Sequence, residues 1–326
     1  MWVYIIRRVL YAIPIIIGVN IITFALFFMV NTPDDMARMH LGDKHVSQAS
    51  VERWKAEQGY NLPLFYNAQA PAVAKITQTL FFQKTIQLLS FQFGSSNQGR
   101  DIGHDIGQRM WPSLALAVPT LLVGLMINIS LALLIVLFRG TYLDTLGVVG
   151  CVILMSISGL FYIIIGQFIL GKWLQLVPIS GYQGGLQAWR FLVLPVLIGV
   201  ISGIGMGVRW YRTIFLEEMQ KDYVRTARAK GLSEMRVLFS HVLKNGMLPI
   251  LTGVVVIIPS LFLGSLIMES FFGIPGLGSY TIDAIQQQDF SVVRAMVFIG
   301  TLLYILGLIL TDISYAMVDP RVRLGK

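Results

Sequence analysis

The sequence contains few of the residues on which soluble enzymes and disulfide-linked secreted proteins depend. Only 13% of its 326 residues are charged, about half the share in a typical soluble domain. It has four histidines and a single cysteine, Cys151, which excludes an intrachain disulfide. Hydrophobic residues make up 55% of the chain, and the mean hydropathy is +0.70. This composition excludes an ordinary soluble enzyme and predicts a membrane protein.

The apolar residues fall in separated blocks of roughly twenty residues, the length at which a helix crosses a hydrocarbon core of about 30 Å. In a bilayer a helix satisfies its own backbone hydrogen bonds, whereas an open strand does not. We therefore predict an all-α polytopic membrane protein with six transmembrane helices. The predicted spans are 9–30, 114–137, 145–170, 191–210, 249–268 and 292–318.

The distribution of Lys and Arg predicts the orientation in the membrane. The short loops on one side contain only Lys172, Arg190 and Arg294, whereas the other side is rich in cations. Both termini are therefore expected in the cytoplasm. The net charge of +8 is then divided between two sides of a membrane and does not indicate a nucleic-acid partner. The segments outside the spans are the cytoplasmic 1–8, 211–246 and 319–326 and the outer 31–112, 171–190 and 269–291; residues 114–318 are expected to form the core domain.

The inner loop 211–246 is too long for a simple turn and has a helical pattern. Lys221, Arg225 and Arg228 are spaced to lie on one face of a helix, which Gly231 would end. A second short helix is expected after Ser233, with an apolar stripe through residues 232–242. Such a pair of helices suits a projection that docks into a groove on a partner, or a basic amphipathic segment that lies on anionic lipid. The pattern alone leaves both interpretations open.

Several segments carry a resemblance to a known family. Residues 222–231 read Asp-Tyr-Val-Arg-Thr-Ala-Arg-Ala-Lys-Gly, and residues 269–278 read Glu-Ser-Phe-Phe-Gly-Ile-Pro-Gly-Leu-Gly. Together with Pro-Ser-Leu at 112–114 and Asp-Pro-Arg at 319–321, they resemble the permease subunits of ATP-binding-cassette (ABC) importers of the dipeptide/oligopeptide (peptide/nickel) family. The likeness is to the first of the two permeases in such importers, and it extends over essentially the whole chain.

The resemblance implies a transport subunit and not an enzyme. The chain would form half of a translocation path for peptides or a related small solute in the bacterial inner membrane. It would have no catalytic residue and would bind no cofactor or metal, because a partner ATPase uses the ATP and Mg. The implied partners are a second homologous permease, two cytoplasmic ABC ATPase subunits, a periplasmic or lipid-anchored substrate-binding protein and membrane lipid.

The resemblance also implies that the inner loop couples the membrane helices to the ATPase. The broader importer motif reads Glu-Ala-Ala, three residues and Gly, and the matching positions here are Arg225, Thr226, Ala227 and Gly231. The departures at Arg225 and Thr226 agree with the peptide branch. The residues expected to couple are Asp222, Tyr223, Arg225, Thr226, Ala227, Arg228, Ala229, Lys230 and Gly231.

The fourth predicted span carries a face of small residues. Gly199, Gly203 and Gly207 recur every four residues, which lets another helix approach closely. This face either packs statically within the chain or lies at a contact with the second permease.

A carboxylate adjoins the predicted outer turn. Glu269 precedes Gly273, Pro275 and Gly276, and it either caps this turn or faces an outer gate or vestibule. Asp312, an acid inside the last predicted span, is expected to pair with a Lys or Arg of the inner loop.

An ion-coupled secondary transporter is the alternative function. It would place Asp312 or Glu269 on an ion path at mid-depth, and it would usually show an inverted repeat. An ATPase site in this chain is not expected, because the stretch nearest to a Walker A motif, 166–173, lacks the terminal Ser or Thr that would hold Mg²⁺.

Overall fold

The computed structural model describes residues 2–30, 32–42, 47–57, 59–71 and 73–318, so the predicted C-terminal segment 319–326 lies outside the described residues. Two π-helices, Gln167–Trp173 and Leu238–Val242, and one 3-10 turn, Gly185–Gln187, accompany the α-helices. The α-helices are α1 (Trp2–Val30), α2 (Pro33–Leu41), α3 (Gln48–Glu57), α4 (Ala74–Thr77), α5 (Leu80–Leu89), α6 (Ile102–Leu137), α7 (Tyr142–Ser156), α8 (Gly159–Gly166), α9 (Ala188–Glu218), α10 (Asp222–Ala229), α11 (Glu234–Val237), α12 (Leu243–Leu261), α13 (Leu266–Phe272), α14 (Leu277–Gln286) and α15 (Phe290–Val318).

The all-α membrane fold is confirmed. Across the described ranges β pairing is limited to one isolated bridge between Ser95 and Asp101. Among the same residues, five stretches are long and apolar enough to cross a membrane, and a bent pair makes a sixth if it is counted as one span. The five stretches are Leu10–Phe28, Ile102–Leu137, Ala188–Glu218, Glu234–Leu261 and Phe290–Ser314.

The third predicted span, 145–170, is not one straight helix. Here α7 and α8 meet at an angle of 87°. Ile157 and Ser158 between them have extended backbones, with ψ of 128° and 142°. The Ser156 hydroxyl donates to the Val152 carbonyl four residues earlier at 2.9 Å, a bond that competes with the helix and favours a bend. The hydropathy pattern does not reveal this break, because every residue around it is apolar or small.

The predicted fifth span, 249–268, is displaced along the chain. The continuous helical stretch runs over Glu234–Leu261, and the backbone leaves the helix before Gly264, whose φ is +71°. The helices α6 and α9 likewise extend beyond 114–137 and 191–210 into segments that were predicted to be loops. Hydropathy locates the apolar part of a helix, whereas backbone hydrogen bonding continues through its polar ends.

The chain divides into two compact units, which differ from the predicted core 114–318. Unit 1 comprises residues 1–107 and 283–305, and unit 2 comprises 108–282 and 306–326. In unit 1, aromatic and aliphatic side chains of α1 and the segment 32–89 form the core, and Phe27 packs edge to face on Phe290 with ring centroids 5.4 Å apart. The start of the last span therefore belongs to the same compact unit as the first.

Unit 2 contains two apolar clusters. One joins α6, α7 and α9 to the inner loop around Val208, Phe215 and Leu238. The other surrounds Leu194 and Phe272. Outside these clusters, Arg212 of α9 binds both carboxylate oxygens of Asp144 of α7 at 2.7 to 3.1 Å, which fixes the two helices to each other.

Candidate functional site

The inner loop contains a short helix that ends in a defined left-handed turn. Helix α10 runs over Asp222–Ala229, and Gly231 follows it with φ of +76°. The Gly231 N–H donates to the Arg228 carbonyl at 2.9 Å, and the Leu232 N–H donates to the Ala227 carbonyl at 3.3 Å. This pair of bonds is a Schellman motif, which satisfies the last carbonyls of a helix and favours glycine at the left-handed position. The predicted glycine elbow is therefore present.

An ion pair closes the elbow. The Arg228 Nε donates to Glu234 Oε1 at 2.7 Å, and Nη2 donates to Oε2 at 3.1 Å. The same Nη2 contacts the Met219 sulfur at 3.7 Å. Arg228 thus binds within its own chain, and it links α10 to the start of α11.

The inner side of α10 is anchored in the apolar cluster of unit 2. Val224 and Ala227 are buried, with 0% and 4% of their surface exposed. The Tyr223 hydroxyl donates to a carboxylate oxygen of Glu218 at the end of α9. Burial and this bond raise the pKa of Tyr223 to about 12, so the phenol remains a donor at neutral pH.

The nine predicted coupling residues are thus not equivalent. Ala227 faces the chain's own core, and Tyr223 and Arg228 are half-buried contacts that position α10. Two apolar residues that the stripe included, Met235 and Phe239, are about half exposed, whereas Leu238 and Val242 of the same stripe are buried. The exposed members of the predicted set are Asp222, Arg225, Thr226, Ala229, Lys230 and Gly231.

The elbow is continuous with a long helix. From Glu234 the chain stays helical through α11, a π-helical turn and α12 to Leu261, a stretch of 28 residues. At 1.5 Å per residue such a helix is about 40 Å long. Four residues beyond its end lies Ser265, the N-cap of α13, which is the helix that contains Glu269.

Glu269 binds backbone groups on both sides of the outer turn. Its side chain is fully buried, and its two carboxylate oxygens accept from the N–H groups of Ser265 at 3.0 Å and Ser279 at 3.1 Å. Burial raises the pKa of Glu269, although a hydrogen bond with Ser113 and the backbone donors act in the opposite direction. Of the two alternatives given for Glu269, these contacts are the ones expected of a residue that caps the turn.

The glycines of the turn leave room for this carboxylate. A methyl group on Gly276 would overlap the Glu269 carboxylate and the Ser113 hydroxyl. Gly273 ends α13 in the left-handed conformation, with φ of +64°. The Ser113 hydroxyl also accepts from the Leu277 N–H at 2.8 Å, a contact between residues 164 positions apart that local patterns could not locate. Pro275, the remaining predicted member, is exposed.

The three glycines of α9 have different surroundings. A Cβ on Gly199 would lie 2.9 Å from Thr120, and one on Gly207 would lie 2.7 Å from Asn128 Cγ, so both glycines pack against α6. A Cβ on Gly203 would meet no atom within 4 Å. Sequence spacing missed Gly205, where a Cβ would lie 2.6 Å from the Cys151 carbonyl of α7. Gly199, Gly205 and Gly207 thus allow close packing within the chain, whereas the space beside Gly203 is open.

Comparison with known proteins matches this arrangement to one family. Residues 124–324 match the family described as "Binding-protein-dependent transport system inner membrane component". Residues 1–98 match the N-terminal region described for the same membrane components. The chain belongs to this family.

Relatives of this inner membrane component align over 82% to 98% of its length. An oligopeptide transport system permease protein of Bacillus subtilis is 30% identical over 98% of both chains. A dipeptide transport system permease protein of the same organism is 29% identical over 82% of this chain and 84% of its own. A glutathione transport system permease protein of Shigella flexneri is 27% identical over 98% of both chains. The family resemblance, the membrane fold and the inner-membrane location are thereby confirmed.

The stretch nearest to a Walker A motif and the possible metal ligands can be located among the described residues. The Walker-like stretch continues α8 as a π-helix over Gln167–Trp173 and does not form an open phosphate loop. No group of three or more His, Cys, Asp or Glu that could hold a metal ion occurs among the described residues. Asp312 lies half-buried within α15, and its pairing with the inner loop stays a prediction.

Proposed function

We propose that this chain forms half of the translocation path of an ABC importer for di- or oligopeptides or a related small solute. Family membership and the activities for which the relatives are named support the transport class and the peptide cargo. The observation that carries the proposal is the geometry of α10, a short exposed helix fixed on its inner side by Val224 and Ala227. A helix presented in this way suits insertion into a cleft on a partner.

In this proposal the energy comes from a separate ATPase that docks on the exposed side of α10. Asp222, Arg225 and Lys230 supply the charged contacts, and Ala229 lets the partner approach closely. ATP and Mg²⁺ bind to the ATPase subunits. Both termini and the inner loop lie in the cytoplasm, and a substrate-binding protein delivers cargo on the opposite side to this chain and a second permease.

In the proposed coupling, the long helical stretch Glu234–Leu261 carries the displacement of α10 toward the outer turn. Closure of the two ATPase subunits would displace α10, and the Arg228–Glu234 pair would transmit this displacement to α11. Because α11 is continuous with α12, the movement would reach the residues beside the outer turn as a shift of a rigid element. The importer would then alternate between inward-open and outward-open states whose populations nucleotide binding shifts.

The test is transport by the reconstituted importer. We expect uptake of a labelled di- or oligopeptide into proteoliposomes to require ATP, the binding protein and both permeases. Uptake that follows an imposed ion gradient without ATP would contradict the proposal and favour the secondary transporter. A charge removed outside the inner loop serves as the control for substitutions within it. Asp283→Asn, which changes an exposed acid, should leave ATP-dependent uptake unchanged.

A further inference from the structure

A small polar cavity lies between α1 and α15 inside unit 1. Its volume is about 10 Å³, and half of the residues that line it are polar. The polar lining residues are Asn20 and Thr23 of α1 and Arg294 and Thr301 of α15. Arg294, counted with the cations of the short outer loops, lies within the predicted span 292–318, and the structure places it one turn inside α15.

Two buried hydrogen-bond donors of this cavity have no acceptor in the described part of the chain. Asn20 and Arg294 are only 6% and 7% exposed. The Asn20 Nδ2 and the Arg294 Nε are both fully buried and without a hydrogen-bond partner among the described residues. Burial of a donor without an acceptor is unfavourable, and native structures usually satisfy such groups. Two such donors that line one cavity indicate a ligand that accepts hydrogen bonds.

The charge of the cavity favours a negatively charged acceptor. Arginine stays protonated even when it is buried, and Arg294 forms no ion pair with a carboxylate of the described residues. The acid at the start of α15, Asp289, instead accepts from the N–H groups of Asn97 at 2.6 Å and Val292 at 3.3 Å. A buried cation without a counter-ion is strongly disfavoured.

A second cation increases the positive potential of this region. Lys84 lies with its Nζ 5.1 Å from the centre of the Tyr60 ring. Burial and the nearby Arg294 lower the pKa of Lys84 to about 8, so it remains mostly protonated at neutral pH. Since both charges have the same sign, an anion near Arg294 would stabilise unit 1.

The size of the cavity restricts the ligand to a single small ion. A space of about 10 Å³ is close to the minimum that holds one water-sized group. A phosphate, a lipid headgroup or the carboxylate of a peptide is much larger than this space, whereas a chloride ion is only slightly larger than a water molecule and fits after a small outward shift of the lining side chains. We propose that Asn20 and Arg294 bind one monovalent anion of chloride size, with the Nδ2 and Nε groups as donors. The anion joins α1 to α15 and acts as a structural ligand, independent of the cargo.

The test is the thermal unfolding of the full-length chain in lipid nanodiscs, with chloride exchanged for gluconate at constant ionic strength. A ligand that binds only the folded state raises the unfolding temperature in a saturable way, and we expect a rise of about 2 °C. An Arg294→Met variant removes the charge and the donor together, and it should unfold at a temperature that no longer depends on chloride. An Asn20→Leu variant should need about 10-fold more chloride for the same shift.

The control is Arg190→Met, which removes an exposed cation of unit 2 and should retain the chloride dependence. A second measurement needs no variant, because crystals of the unmodified chain grown in bromide should show an anomalous peak between Asn20 and Arg294. An unfolding temperature that does not respond to chloride, an equal response in Arg294→Met, or a bromide-free cavity would overturn the proposal.

Discussion

The guanidinium of Arg228 binds both carboxylate oxygens of Glu234, at 2.7 and 3.1 Å, on either side of the left-handed Gly231. The pair joins a helix that ends at Ala229 to one that starts at Glu234. It therefore fixes the angle at which α10 projects from the membrane helices. In the proposed importer, a partner that pushes on α10 would therefore move α11 as well.

Exchanging the charges of Arg228 and Glu234 distinguishes the role of this ion pair in coupling from its role in stability. Both side chains are partly exposed, so the pair should contribute at most about 1 kcal/mol to the free energy of unfolding. We expect Arg228→Glu to lower ATP-dependent transport by roughly threefold to tenfold with little change in unfolding temperature. The double variant Arg228→Glu/Glu234→Arg should recover most of the activity. Equal transport in the single and double variants would contradict a role for the pair itself.

Gly231 should tolerate only residues that accept a left-handed backbone. Its φ is +76°, and no atom lies within 4 Å of the position that a methyl group would take, so backbone strain is the sole obstacle to a side chain. A β-branched residue costs roughly 1–3 kcal/mol there, whereas Asn is tolerated. We expect Gly231→Val to reduce ATP-dependent transport by about 10-fold or more. Gly231→Asn should retain most of it, with both variants inserted in the membrane to equal levels.

The stability of the outer turn should depend on the protonation of Glu269. Burial raises its pKa in the folded state, so the folded chain holds this proton more tightly than the unfolded chain. Its contribution is fully present below the unfolded pKa of about 4.3 and is lost as the pH rises through the folded pKa. We expect Glu269→Gln to remove this part of the pH dependence of the unfolding temperature. It should also destabilise the turn by about 1–3 kcal/mol, because one backbone N–H loses its acceptor.

The matched control for this variant is Glu217→Gln, which changes an exposed acid of α9. It should leave both the unfolding temperature and its pH dependence close to those of the parent chain. A Glu269→Gln profile that parallels the parent at every pH would show that the carboxylate does not titrate with folding.

Two glycines of α9 should respond differently to the same substitution. Gly207→Ala would overpack against Asn128 and should destabilise the chain by about 1–3 kcal/mol. Gly203→Ala meets open space and should be neutral or slightly stabilising, since Ala favours helix over Gly by about 1 kcal/mol. Unfolding of each variant in detergent measures this difference. Loss of association with a second permease in Gly203→Ala alone would assign the open position to that contact.

Hydropathy and charge were sufficient to predict the all-α membrane fold, and the motif at 222–231 was sufficient to predict the glycine elbow. The bend after Ser156 and the break before Gly264 were not predictable, because both occur within apolar sequence where only backbone geometry changes. The role of Ser113 depends on a contact across 164 residues. The cavity at Arg294 was not predictable either, because it forms between residues of α1 and α15 that are more than 270 positions apart in the sequence.

The most direct test of the proposed coupling is a cysteine crosslink from α10. The one native cysteine, Cys151, is buried, so a cysteine introduced at the exposed Ala229 can be labelled selectively with a photocrosslinker. The control is Val73→Cys in unit 1, which is also exposed and lies in the segment expected outside. We predict an adduct with an ABC ATPase subunit from position 229 and none from position 73, with a yield that changes when ATP is added. Absence of an ATPase adduct at position 229, with lipid as the product of the reaction, would contradict the account and assign the inner loop to the membrane surface.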